Sequence, residues 1–292
     1  MRRYTRDGLN FDVRDSGPDN GIPVILLHGF PQTSTSWSKV EPLLHSAGIR
    51  TIAPDQRGYS PAARPLARRA YAMTELTADV VALLDAIGHK SAHVVGHDWG
   101  GAVVWGLAGQ HPDRFRSATV LSTPHPAALT KAFRTSTQAL KSWYMAVNQI
   151  PGLPELLVRD KAFKRNLMRT GLPEAMAERD AGRLRQPHAA TGALNWYRGI
   201  PFTGPIGRAK LPLTYIWGSQ DAFLGRAAAE LSEEFVATSH RPDYTFIELD
   251  TGHWLPETHP EDVARAVIAR VRSADGAPPK SPPRSKPLRH QP

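Results

Sequence analysis

Between residues 8 and 14 polar and apolar side chains alternate, the period of an exposed antiparallel edge strand. Residues 22–27 are apolar without interruption, which marks a central strand covered on both faces. A turn cluster, Gly17-Pro18-Asp19-Asn20-Gly21, separates the two. The period then lengthens: Trp37, Val40, Leu43 and Leu44 fall on the inner face of a helix starting near Ser36. A short strand over residues 50–54 runs into the turn-rich Asp55-Gln56-Arg57-Gly58-Tyr59-Ser60. Thr74 caps a helix whose stripe is Leu76, Val80, Leu83, Leu84 and Ile87, and Gly88 ends it. Residues 92–95 and 116–121 read as strands around an apolar helix from Gly101 to Gln110. Strand and helix in alternation predict an α/β fold with a mostly parallel sheet and right-handed crossovers.

The alternation breaks at Pro124. Up to Pro205 there are helical stretches and no strand, punctuated by Trp143-Tyr144, Pro151-Gly152, Leu172-Pro173, Gln186-Pro187 and Asn195-Trp196-Tyr197. Residues 124–205 therefore read as an all-helical lid between two parts of a core, 1–123 and 206–272. Strands over 211–217 and 244–249 flank a helix from Arg226 to Val236, and His259-Pro260 opens a last helix to Arg272. Residues 273–292, rich in Pro, Lys and Arg, predict a disordered basic tail.

An apolar fraction of 41% and a charged fraction of 22% are those of a globular protein with a real core. The chain has no cysteine, which excludes disulfides, thiolate metal sites and thiol catalysis. No 18 apolar residues run together and the start lacks a secretory signal's apolar stretch, so a cytoplasmic protein without a membrane span is expected. The net charge of +9 lies partly in the tail, as Lys280, Arg284, Lys286 and Arg289, and is otherwise scattered, much of it as arginines between Arg159 and Arg208. No groove- or strand-binding motif accompanies it, so it reads as solvated surface, with no specific nucleic-acid partner. A homodimer is as open as a monomer.

The pentapeptide Gly96-His97-Asp98-Trp99-Gly100 sits where a strand gives way to a helix, the outline of a nucleophile elbow with Asp in place of the usual Ser. Its glycines are needed because a Cβ there would strike neighbouring backbone. Three further polar features share the carboxyl ends of strands, where open parallel sheets bind ligands: His28-Gly29-Phe30-Pro31, Asp221 and His253. Their order of nucleophile, acid and histidine resembles that of α/β-hydrolases. Of twelve histidines, only His253 follows a late strand within a Gly-containing loop. His93 and His97, four apart, lie on a strand and its turn, so helical metal-ligand spacing does not apply; His97 reads as a brace for the turn. Asp221 outranks Glu248, which points across the last strand, and Asp250, too close in sequence to reach around His253.

An aspartate nucleophile narrows the chemistry. Alkylated serine is an ether that water does not cleave; alkylated aspartate is an ester with a carbonyl open to attack. Asp98 thus suits displacement at an sp3 carbon followed by hydrolysis with His253 as base. The backbone N–H groups of Phe30 and Trp99 are placed to hold the resulting oxyanion. A departing halide needs N–H donors, an epoxide oxygen needs a proton donor. Tyr144 and Tyr197 are the lid's candidates for the latter, with aromatic lid core as their bland alternative.

From residue 8 to 272 the sequence resembles the epoxide hydrolases of the α/β-hydrolase fold. The resemblance rests on His28-Gly29-Phe30-Pro31, Gly96 to Gly100, Trp143-Tyr144-Met145, Asn195-Trp196-Tyr197-Arg198, Gly218 to Asp221 and Gly252-His253-Trp254. It implies a triad of Asp98, Asp221 and His253, oxirane activation by Tyr144 and Tyr197, and a cis Phe30-Pro31 bond. It further implies no cofactor or metal, and a small apolar epoxide contacted by Trp99, Pro31 and Trp254. Gly218-Ser219-Gln220-Asp221 departs slightly from the pattern, which often has a second Asp. Haloalkane and haloacetate dehalogenases share the elbow and the first motif but lack the tyrosine pair. A non-catalytic ligand-binding protein on this scaffold is a third reading, opposed by the complete triad.

Overall fold

A computed structural model describes residues 1–237 and 243–276; the tail expected to be disordered falls, beyond Gly276, outside them. Eight strands form one sheet: β1 (Arg3–Arg6), β2 (Leu9–Ser16), β3 (Ile22–Leu27), β4 (Ile49–Pro54), β5 (Ala92–His97), β6 (Phe115–Leu121), β7 (Leu213–Gly218) and β8 (Tyr244–Leu249). Their order is β1-β2-β4-β3-β5-β6-β7-β8; β1 and β2 run antiparallel to their neighbours and the remaining pairs are parallel.

Strand period decides which core each residue joins. Ile25 and Leu27 of β3 face one layer, with Val94, Val120 and the helices α2 (Met73–Ala86) and α3 (Trp99–Gln110). Val24 and Leu26 face the other, with Trp37, α1 (Glu41–His45) and the last helix, α13 (Pro260–Ala274). Before α13 a single turn, α12 (Leu255–Thr258), follows the loop after β8.

Four expectations need correction. β2 is not an edge strand: β1 pairs outside it, with Tyr4 stacked on Phe11 at 4.7 Å and Arg6 paired to Glu75 and Asp79. The helix placed near Ser36 is a 3-10 turn, Ser34–Trp37, followed by the separate α1. Thr74 lies inside the first turn of α2, whose cap residue is Ala72, and no side chain caps that end. The helix after residue 226 is split into α11 (Arg226–Leu231) and a 3-10 turn, Ser232–Phe235.

Between β6 and β7 the described chain is helical: α4 (Pro126–Thr135), α5 (Gln138–Lys141), α6 (Trp143–Val147), α7 (Leu153–Arg159), α8 (Lys161–Arg169), α9 (Glu174–Arg183) and α10 (Ala189–Arg198). Of these α10 is the most deeply packed. Its Trp196 indole N–H donates to the Arg57 carbonyl at 2.7 Å, joining this insert to the loop after β4. Arg198, 3% exposed, binds Glu155 and the carbonyls of Asn148 and Ile150, fixing the loop before α7. No helix among the described residues is long and apolar enough to cross a membrane.

Candidate active site

Asp98 fills the single-residue junction between β5 and α3 with φ 51° and ψ −122°. A non-glycine residue there costs on the order of 1–3 kcal/mol and persists only where its surroundings over-determine it. The surroundings are close. A Cβ on Gly96 would run into the Gly100 carbonyl, and one on Gly100 into the carbonyl of Leu27 on the neighbouring strand. Thr123 Oγ1 donates to the Asp98 carbonyl at 2.7 Å and completes the frame.

The Asp98 side chain keeps 18% exposure, at the end of a sheet otherwise covered. The Phe30 N–H donates to its Oδ1 at 2.7 Å, and His253 Nε2 lies 3.5 Å from its Oδ2. On the far side of the ring His253 Nδ1 stands 2.7 Å from Asp221 Oδ2. Asp221 is itself oriented by the N–H groups of Phe223 and Leu224, which donate to Oδ1 at 2.8 and 3.0 Å. The rival carboxylates are engaged elsewhere: Glu248 pairs with Arg226, and Asp250 accepts from Ser219 and Gln220.

Charge follows geometry. Burial works against ionising Asp98, yet His253 and the Trp99 N–H outweigh it and hold its carboxyl below the usual range. For His253, burial disfavours the imidazolium but Asp221 and Asp98 on its two sides raise its pKa to about 10. In the free protein His253 is therefore held as an imidazolium beside the Asp98 carboxylate.

His97 occupies the place expected of a brace, buried with Nε2 2.9 Å from the His253 carbonyl. Ser122 Oγ donates to that same carbonyl at 2.8 Å, so the backbone carrying the catalytic candidate is held twice. Behind His97 lies a group that sequence reasoning missed. The Gln32 amide places Oε1 3.1 Å from His97 Nδ1 and Nε2 2.8 Å from Glu257 Oε2. Glu257, 2% exposed, also accepts from Arg179 of α9 at 2.6 Å, and Arg179 clasps Asp180. Gln32 and Glu257 are 225 positions apart, so no spacing signal announces the pair.

Over Asp98 a cavity of about 460 Å³ is walled by Trp99, Tyr144 and Tyr197 together with apolar side chains such as Leu76, Phe133 and Met145. The Tyr197 ring meets Trp99 edge-on at 5.0 Å and Phe30 at 5.5 Å; Tyr144 meets Tyr197 at 6.1 Å and Phe223 at 5.7 Å. Burial first, then the negative charge of Asp98, pushes the Tyr144 hydroxyl well above its ordinary value. Burial does the same for Tyr197, reinforced by Tyr144 and Asp98. Both phenols are thus kept protonated.

Two expected substrate contacts are not in this wall. Pro31, after a cis bond from Phe30, faces a separate cleft shared with Asp55 and Arg183. Trp254, 2% exposed, packs edge-on against the His253 ring at 5.0 Å and donates its indole N–H to Thr170. Neither side chain lines the cavity over Asp98, and spacing along a loop does not encode which cleft a side chain meets.

The sheet order, the elbow after β5, the acid after β7 and the histidine after β8 define an α/β-hydrolase. The α/β-hydrolase fold family model matches residues 22–260, and the chain belongs to that family. Among its relatives, the AB hydrolase superfamily protein YfhM of Bacillus subtilis is 32% identical over 91% of this chain and 96% of its own. Epoxide hydrolase A of Mycobacterium tuberculosis is 32% identical over 91% of this chain and 95% of its own. The crystal structure of epoxide hydrolase A from Mycobacterium thermoresistibile superimposes with a TM-score of 0.80 at 28% identity, covering 93% of this chain and 97% of that one.

Proposed function

We propose that the protein is an epoxide hydrolase that converts a small apolar oxirane and water into a vicinal diol. The observation that carries this reading is the placing of two phenols, half-buried Tyr144 and buried Tyr197, in one cavity wall with the Asp98 carboxylate. A carboxylate that attacks carbon and protonated hydroxyls that receive the released oxygen are the two things ring opening needs. Relatives bearing the name epoxide hydrolase support it.

In the first step an Asp98 oxygen bonds to an oxirane carbon, the C–O bond breaks, and the alkoxide takes a proton from a tyrosine. The ester that forms has no charge, so His253 loses one of the two carboxylates that hold its proton. That proton passes to the phenolate, leaving neutral His253 beside the ester. In the second step His253 takes a proton from water as the oxygen attacks the ester carbonyl. The N–H groups of Phe30 and Trp99 receive the oxyanion. Collapse releases the diol oxygen, which takes the proton from His253, and the carboxylic acid left on Asp98 returns one to the imidazole.

A single turnover in 18O-labelled water tests the order of events. The label is expected in Asp98 by peptide mass, with none in the first equivalent of diol. Label in the diol instead would mean direct attack of water and would remove the ester. Matched haloalkanes, run beside styrene oxide and longer aliphatic epoxides, are expected to turn over far more slowly.

A further inference from the structure

On α7, Leu153, Leu156 and Leu157 stand at i, i+3 and i+4, the spacing by which a surface helix presents one apolar face to a core. Here that face is outside. The three leucines are 47, 69 and 52% exposed, whereas Pro154 and Val158 are buried. Leu140, Trp143 and Ile150 just before them are exposed as well. Six of the eleven large exposed apolar side chains of the described residues thus lie within residues 140–157. Scattered apolar side chains are ordinary on a surface; a concentration of this kind marks a contact.

The following helix supplies charge. Lys161, Arg165 and Arg169, at i, i+4 and i+8, share one face of α8 and are exposed, and Arg159 precedes them. None of the four has a carboxylate partner among the described residues, whereas Lys164 on another face pairs with Glu174 and Glu178. The segment from 124 to 205 holds twelve Lys and Arg against five Asp and Glu, an excess of cations to which these four contribute.

That excess chooses the occupant. In a two-fold dimer the face would meet itself and set like charges together. An anionic lipid surface suits both features at once, with apolar side chains entering the acyl boundary and cations meeting the phosphates. We infer that α7 and α8 dock this protein on an anionic lipid surface, with Leu153, Leu156, Leu157 and Trp143 inserted. The same face is near the site: α6 carries exposed Trp143 next to Tyr144 and Met145, both of which wall the cavity. An apolar ligand dissolved in the bilayer would meet the protein there. The docking stands apart from the proposed reaction, and its test reads binding rather than turnover.

The full chain is mixed with vesicles of phosphatidylcholine alone or with phosphatidylglycerol, and pelleted at low and at physiological salt. Expected is binding to the anionic vesicles only, weakened by salt, with a blue shift in fluorescence from Trp143, the most exposed of the tryptophans. Joint replacement of Lys161, Arg165 and Arg169 by Glu is expected to lower partitioning by about 100-fold or more. Joint replacement of Leu153, Leu156 and Leu157 by Ser should abolish the blue shift while leaving the circular dichroism melt in place. Equal binding to both vesicles, or binding indifferent to both triple variants, overturns the inference. So does loss of binding when Lys280, Arg284, Lys286 and Arg289 of the tail are changed to Ala with the helices intact. A dimer in sedimentation velocity that the Ser triple dissolves, without vesicle binding, assigns the face to a second copy.

Discussion

Asp98, Asp221 and His253 stand on loops at the ends of β5, β7 and β8, whereas Tyr144 and Tyr197 stand on helices of the insert. The first group is fixed by backbone donors, buried hydrogen bonds and glycines against which no Cβ fits. The second group is held chiefly by ring-on-ring contacts and by the anchoring of α10; α6 has no buried residue of its own. On the proposed reading, the carboxylates and the histidine are set by the sheet, and the phenols that receive the epoxide oxygen ride on a segment with its own packing. Chemistry and substrate choice can then vary independently.

The sharpest way to break this division is on the sheet side. Asp98→Asn is expected to lower turnover by about 10⁴-fold with no mass added to the protein. His253→Gln is expected to lose turnover comparably while gaining one equivalent of substrate mass, read on the intact protein. A His253→Gln protein that reacts yet never gains mass would remove the covalent step. On the insert side the effects should be smaller singly than jointly. Tyr144→Phe and Tyr197→Phe each leave one phenol, and the double variant should fall by about 10²–10⁴-fold, the usual span for a proton donor. If the double variant kept full rate with epoxides, the insert would carry shape alone.

A gentler contrast uses pH. His253 is held above its ordinary value, near 6.5, up to about 10. The stability this protonated ring contributes is complete below about pH 6.5 and is lost as pH rises through its folded value. Urea midpoints of the wild type should therefore fall between about pH 7 and 10 more steeply than those of His253→Gln. Parallel curves would show that the Asp98–His253–Asp221 row does not couple to folding.

The division also explains what could be read from the chain. Strand-borne chemistry leaves a local signature, because a strained turn needs Gly96 and Gly100 around Asp98 and a strand end needs an apolar run before it. The sheet from β3 onward was legible for the same reason. β1 was not, since Arg3-Tyr4-Thr5-Arg6 carries one apolar residue and is defined by its pairing with β2. Tyr144 and Tyr197 stood out as the lid's hydroxyls but gained a role only through motif resemblance, and Pro31 and Trp254 fall outside the cavity wall because sequence gives position along a loop but not direction. Gln32, Glu257 and Arg179 had no signal at all, since polar residues buried by distant partners look like surface residues.

Gln32 imposes a count of hydrogens on the interior. The His253 carbonyl only accepts, so the His97 nitrogen facing it carries a hydrogen. Burial depresses His97 to about 4, so near neutrality its other nitrogen is bare and needs a donor. In the orientation described above the amide turns its oxygen to His97 and its NH2 to Glu257; the reverse orientation would give His97 its donor, but would set the amide oxygen against Glu257, and that pairing needs a proton on the carboxyl. Burial raises Glu257 to about 7, where such a proton is available. The amide would then work as a two-position pawl: with Glu257 protonated every bond closes in the reverse setting, and with it ionised the line is one hydrogen short in either. Glu257→Gln has a permanent donor and should stay in one setting. The Gln32 amide NMR signals of the wild type should move between about pH 6 and 8. Signals that do not move would show that the pawl never turns.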